Sequence, residues 1–195
     1  MADVLALATA GLKPDQLMDT DHVRYPRVDY IELQRLIDID VLDYTAYDRT
    51  RLGKFLRYLE TQVRSDLYLT MLGLLVKHRY RLVFAMSERA GIPFAGLHRA
   101  LPPRKRLVSM FACWSARQEG TITKLGFFSA MDGIIVKCQS LRDHFLELGA
   151  PAERLHVIPF GIDHRFFSPM TDVGQQAGLI VSLGEIRTRD YATLF

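Results

Sequence analysis

Gly133-Ile134-Ile135-Val136-Lys137-Cys138 is followed by Gln139-Ser140-Leu141-Arg142-Asp143-His144-Phe145-Leu146-Glu147-Leu148, then by Gly149-Ala150-Pro151 and by Leu155-His156-Val157-Ile158-Pro159. The first run is short, apolar and β-branched, which reads as a buried strand. Ser140 carries a hydroxyl that can accept from the unpaired N–H groups of a helix start, so it is expected to cap a helix running to Leu148. Gly149 supplies the stop and Pro151 forbids continuation. Leu155–Pro159 then reads as the next strand. A strand, a helix and a second strand in this succession form a βαβ unit, whose strands must run parallel because the helix carries the chain back along the sheet.

The same alternation extends upstream. Val4–Ala8, Asp40–Tyr44, Arg81–Met86 and Leu107–Ala112 are short apolar runs of strand type. Between them lie helical repeats: Tyr30–Ile37, with Ile31, Leu33, Leu36 and Ile37; residues 49–78, as one or two helices; a short helix after the turn at Ser87–Ala95; and residues 115–130. Pro102-Pro103 marks a stop before Leu107. The pattern predicts an α/β fold with a parallel sheet and flanking helices over residues 1–169. From Pro169 to Gly178 the periodicity is lost, so residues 170–178 are expected to be a linker. A further strand, Gly178–Gly184, opens residues 179–195. One strand and part of a helix cannot bury their apolar faces, so this segment reads as the start of a truncated second domain.

The 195 residues are 49% hydrophobic and 24% charged, a composition that excludes disordered and fibrous classes. Two cysteines, Cys113 and Cys138, build neither a disulfide framework nor a metal-ligand spacing, and a reduced, cytoplasmic setting is expected. The segment Met1–Ala10 has an acid at Asp3 and no basic leader, which favours a strand over a signal sequence. The most apolar run, Leu67–Val76, is half the roughly 20 residues that a membrane span needs.

The net charge of +3 hides a segregation. Residues 1–48 hold 4 basic and 10 acidic side chains, residues 49–106 hold 13 and 3, and residues 107–195 hold 8 and 9. A block of +10 attracts anions. Within it Leu52, Phe55, Leu56 and Leu59 recur at helical spacing while Arg51, Lys54, Arg57 and Arg64 point elsewhere, a basic amphipathic pattern of the kind that lies on anionic membranes. The alternative is a solvated helix face. Nucleic acid is not expected, since no nucleic-acid-binding motif accompanies the charge.

The run Met131-Asp132-Gly133-Ile134-Ile135-Val136 through Leu148-Gly149-Ala150-Pro151-Ala152-Glu153-Arg154-Leu155-His156-Val157-Ile158-Pro159-Phe160-Gly161-Ile162-Asp163 to Phe166-Phe167-Ser168-Pro169 resembles the interdomain stretch of GT-B glycosyltransferases, in particular family 4. Ser182-Leu183-Gly184-Glu185-Ile186-Arg187-Thr188-Arg189-Asp190-Tyr191 is similar to the turn that follows the first strand of their second domain. The resemblance covers about 65 residues; residues 1–130 agree only in their α/β alternation. It implies two Rossmann-like domains across a cleft, with acceptor on the first and nucleotide-sugar donor on the second. It further implies retaining, metal-independent hexosyl transfer with no cofactor. This chain would hold the first domain and the beginning of the second, and alone would be inactive.

The resemblance also assigns roles. Gly184 falls on the glycine of the donor turn, where Glu185 replaces the usual Arg, so Arg187 or Arg189 is expected to meet the diphosphate. Gly11, the single glycine after the first strand, stands where relatives carry a glycine-rich loop near the donor phosphates. Glu88, at the C-terminal end of the Arg81–Met86 strand, and Trp114, the only tryptophan, are the acceptor-side candidates. Gly161 is expected in a backbone conformation closed to other residues, and Asp163 to cap the following turn. In several relatives a histidine follows the strand that here is Leu107–Ala112; Cys113, Trp114 and Ser115 stand there instead. His98, His144, His156 and His164 fit no catalytic position, and the catalytic residues stay unassigned. Acceptors of saccharide, lipid-linked or small-molecule type are all compatible. The rival reading is a non-catalytic α/β module that recruits a partner or an anionic membrane surface through residues 49–81; a more distant one is another α/β enzyme.

Overall fold

The computed structural model describes residues 2–11, 25–48, 51–63, 65–112, 114–168, 174 and 178. The linker and second-domain segment expected at 170–195 therefore lie outside the described residues, apart from two isolated positions.

Six strands form one parallel sheet: β1 (Val4–Leu7), β2 (Ile39–Leu42), β3 (Leu82–Ala85), β4 (Arg106–Phe111), β5 (Gly133–Val136) and β6 (Leu155–Val157), in the order β2-β1-β3-β4-β5-β6. The connecting helices are α1 (Asp29–Leu36), α2 (Thr45–Asp48), α3 (Arg51–Val63), α4 (Leu67–Val76), α5 (Glu88–Ala100), α6 (Ala116–Leu125) and α7 (Gln139–Glu147). This is the Rossmann-like α/β architecture that the alternation predicts.

Register explains the core. Leu5 stands beside Val83 and Val83 beside Leu107; Ser109 stands beside Ile134, which stands beside Leu155. Side chains two apart share a face, so Leu5, Leu7, Val83, Ala85, Leu107, Phe111, Ile134 and Val136 line one side and bury against Leu69, Phe94, Ile122 and Phe145 of the helices. The opposite face is thinner. There Ala6, Ala8 and Met86 meet Tyr30 of α1, with Phe84 and Met110 only partly buried.

Helix boundaries depart from expectation in instructive places. The segment 115–130 is broken at Gly126, which takes φ 61° and caps α6 by donating its N–H to the carbonyls of Ile122 and Thr123; residues 127–130 continue as a 3-10 turn. Helix α7 begins at Gln139 with Cys138 at the cap position and no side-chain cap bond, so Ser140 is not the cap. The helix after Ser87 is not short: α5 has 13 residues and carries Pro93 inside it. A proline lacks the N–H that would reach four residues back. The carbonyl thus released, that of Arg89, accepts from the Asp66 N–H at 3.1 Å, so the helix continues with its backbone satisfied. Gly161 does not adopt a positive φ; among the described residues only Gly126, Gly149 and Gly178 do.

Candidate functional site

In this strand order β1 is flanked by β2 on one side and β3 on the other, so the chain reverses its direction of travel across the sheet at β1. Parallel α/β sheets bind ligands at such a point, in the crevice outside the carboxyl ends of the strands where the loops diverge. The crevice here lies between Ala8-Thr9-Ala10-Gly11 and Met86-Ser87-Glu88. The Met86 N–H donates to the Leu7 carbonyl at 3.1 Å, which holds the two loops together at their roots.

Gly11 sits at the mouth of this crevice, exposed. A Cβ built there would meet the Tyr44 Cβ at 3.5 Å, an ordinary contact. The backbone at Gly11 thus requires no glycine.

Glu88 occupies the first turn of α5, where a carboxylate is favoured by the helix dipole. Ser87 caps the same helix, its Oγ accepting from the Arg89 N–H at 3.0 Å. The Glu88 side chain crosses to the next strand and Oε2 accepts from the Ala112 N–H at 3.3 Å. Only 8% of Glu88 is exposed. The residue therefore clamps the C-terminal ends of β3 and β4 together.

Trp114 stands two residues beyond Ala112. Its ring packs edge-on against Phe145, with centroids 4.6 Å apart, and against Phe111 at 6.1 Å. The indole N–H lies 3.1 Å from His144 Nε2 and 3.4 Å from Glu119 Oε2, while His144 Nε2 lies 3.2 Å from the same Glu119 oxygen. Because indole only donates, Trp114 is the donor to both His144 Nε2 and Glu119 Oε2. Glu88 and Trp114 are thus brought to the same edge of the sheet. Gly184, Arg187 and Arg189 lie outside the described residues.

A second constellation escaped the sequence reading. Tyr44, just past β2, donates its hydroxyl to Asp66 Oδ1 at 3.0 Å, and Arg89 Nη2 donates to the same oxygen at 3.0 Å. Arg57 lies over the Tyr44 ring, 4.9 Å from its centroid. Asp66 is 1% exposed. Burial pushes its carboxyl above the usual range, against the opposing pull of Arg89 and Tyr44, and burial likewise raises the Tyr44 phenol. Asp66 Oδ2 and Arg89 Nε are buried and, among the described residues, have no hydrogen-bond partner. The signal was Ser65-Asp66 directly before the apolar run 67–76, a helix-start pattern; nothing in the sequence announces that its carboxylate pairs with the turn after β3.

The other histidines have structural or peripheral positions. His98 is 1% exposed, with Lys77 Nζ 2.9 Å from its Nδ1, whereas His156 and His164 are exposed. Asp163 accepts from the Arg165 N–H at 3.3 Å, the expected turn cap, and also binds Arg27 twice. Among the described residues no group of three or more His, Cys, Asp or Glu side chains is arranged to hold a metal ion.

The all-parallel sheet, its order and its flanking helices define a Rossmann-like α/β domain. No protein-family model matches the chain, and no curated protein matches it. Among solved structures, that of Anabaena Alr3699/HepE in complex with UDP and glucose is similar in fold, with a TM-score of 0.50 and 17% identity over 88% of this chain. The match covers 47% of that structure, so the chain spans about half its length.

Proposed function

We propose that the chain is the acceptor-side half of a GT-B glycosyltransferase of the family-4 type, transferring a hexosyl group from a nucleotide-sugar donor to a saccharide or lipid-linked acceptor. The observation that carries this reading is the fold likeness to a protein that binds UDP and glucose, along a chain whose residues 131–169 also resemble the interdomain stretch of those enzymes.

Transfer needs a cationic or N–H-rich cradle for the departing diphosphate and a fixed position for the acceptor hydroxyl. In this reading Gly184, Arg187 and Arg189 serve the diphosphate, with Gly11 approaching it from β1. Glu88 serves the acceptor: Oε2 is committed to the Ala112 N–H, and Oε1 takes a substrate hydroxyl. Trp114, anchored through its N–H, closes the acceptor side. Transfer proceeds with retention and without a metal.

Calorimetric titration of UDP and UDP-glucose into the protein tests the reading. Saturable binding is expected. Absence of binding of any nucleotide sugar overturns it.

A further inference from the structure

Helix α3 presents opposite faces of opposite character. Gly53 and Glu60 point inward, Leu56 and Arg57 are half-buried, and Arg51, Lys54, Phe55 and Tyr58 point out. Phe55, one of the apolar residues that recur at helical spacing, is 58% exposed, and Tyr58 is 65% exposed. Helix α4 has no charged residue in its ten positions. Leu69, Gly73 and Leu74 are buried against the sheet, while Leu67, Met71 and Leu75, spaced four apart, form an outer stripe exposed by 47%, 47% and 67%. The two helices are consecutive and joined through Glu60, whose carboxylate accepts from the Tyr68 N–H at the head of α4. His78 and Arg79 continue the exposed surface beyond α4.

Within residues 49–106 the charge shown to solvent is of one sign, with Asp3 from outside the block pairing with Arg81 at 3.7 Å. Residues 49–106 contain three acids, Glu60, Asp66 and Glu88, and all three are buried, with exposures of 6%, 1% and 8%. Each is spent on an internal hydrogen bond. What the block shows to solvent is cationic, including Arg51, Lys54, Arg79, Arg81, Arg99 and Arg104.

Exposed large apolar side chains in a stripe flanked by cations are the signature of a helix pair lying in a membrane interface, where the apolar groups enter the acyl boundary and Lys/Arg meet anionic headgroups. No helix is long and apolar enough to cross a membrane among the described residues, so contact would be peripheral. We infer that the outer face of α3 and α4 docks on an anionic lipid bilayer, with Phe55, Tyr58, Leu67, Met71 and Leu75 inserting and Arg51, Lys54 and Arg79 pairing with lipid phosphates. Charge complementarity selects this occupant: a second copy docked through the same face would bring cations against cations. The inference is independent of sugar transfer, and its test uses no donor.

Sedimentation of the protein with vesicles of phosphatidylcholine alone and of phosphatidylcholine containing about 30% phosphatidylglycerol is the experiment. Binding to the anionic vesicles is expected, at least about tenfold stronger than to neutral ones and reduced by salt. Met71→Asp with Leu75→Asp, and separately Arg51→Glu with Lys54→Glu, are each expected to lower the partition coefficient about tenfold or more. All four positions are exposed, so circular dichroism should be unchanged, and either pair keeps the test valid if the other unfolds. Equal binding to both vesicle types, no binding, or undiminished binding by both variants overturns the inference. So does a dimer in solution that the Met71/Leu75 variant dissociates, which would make a second copy the occupant.

Discussion

Arg27 and Asp163 stand 136 positions apart and are joined twice: the Arg27 backbone N–H donates to Asp163 Oδ2 at 2.9 Å and Arg27 Nη2 to Oδ1 at 2.8 Å. Arg27 leads into α1, which covers the thinner face of the sheet, and Asp163 lies in the chain leaving the edge strand β6. The pair therefore ties the entry to α1 to the chain beyond β6. Arg27 holds the Asp163 carboxyl well below the usual carboxylate range. A group with a depressed folded pKa stabilises fully above its unfolded value and loses that contribution as pH falls. Asp163→Asn is expected to speed hydrogen exchange at residues 25–28 and 158–163 at pH 7 and to change it little in strong acid. Equal exchange in both proteins at pH 7 would contradict this.

The Asp66–Arg89 pair is asymmetric, and its two deletions should differ. Arg89→Met leaves a carboxylate of 2% side-chain exposure with the Tyr44 hydroxyl as its remaining side-chain partner, and is expected to cost about 3–5 kcal/mol. Asp66→Ala leaves a guanidinium already 33% exposed, which water can rehydrate, so the loss should be smaller. Urea denaturation of the two variants gives the order directly.

Gly91 of α5 faces Ser109 of β4 so closely that a Cβ at position 91 would come within 1.9 Å of Ser109 Oγ and 3.0 Å of its Cβ. Gly91→Ala is expected to destabilise by about 1–3 kcal/mol through overpacking. Ser109 Oγ is buried and, among the described residues, has no hydrogen-bond partner, so Ser109→Ala should be neutral or stabilising. A Ser109→Ala protein with a clearly lower urea midpoint would show that the hydroxyl has a partner.

His98 should make the domain acid-sensitive. Lys77 donates to Nδ1, which leaves Nε2–H to donate to the Lys105 carbonyl at 2.7 Å and keeps the ring neutral. Burial lowers the pKa of His98 from 6.5, with Lys77 and Arg104 acting in the same direction and the Lys105 carbonyl and Asp132 opposing. The unfolded chain then binds the proton more readily, so this contribution is complete above pH 6.5 and is lost as pH falls below it. Melting temperature is expected to fall over that window in the native protein and to fall less in His98→Gln.

The strands were legible because β1, β3, β4 and β5 are apolar runs bounded by turn residues, and their parallel direction because helices alternate with them; the order in the sheet was not. Features decided by long-range contact were not. Pro93 reads locally as a helix breaker, and only the Asp66 N–H, supplied from the head of another helix, lets α5 run through it. Phe55 shares its helical spacing with Leu56, yet Leu56 is half-buried and Phe55 exposed, and α3 turns Gly53 and Glu60 to the protein. Periodicity shows that a helix has two faces without saying which one meets the sheet. Glu88 could be singled out as a candidate because ligands in α/β sheets bind at strand ends; Asp66 could not, because its partners come from two distant elements, Tyr44 from the turn after β2 and Arg89 from the first turn of α5.

Hexosyl transfer by the full-length gene product, followed as UDP release from UDP-glucose and other UDP-hexoses with saccharide and lipid-linked acceptors, tests the central claim most directly. The account predicts turnover with retained anomeric configuration and without a requirement for metal. It also predicts that Glu88→Gln, whose amide oxygen still accepts from the Ala112 N–H, lowers kcat/KM for the acceptor about 10–100-fold while leaving donor binding intact. A full-length protein that neither binds nor turns over any nucleotide sugar would contradict it.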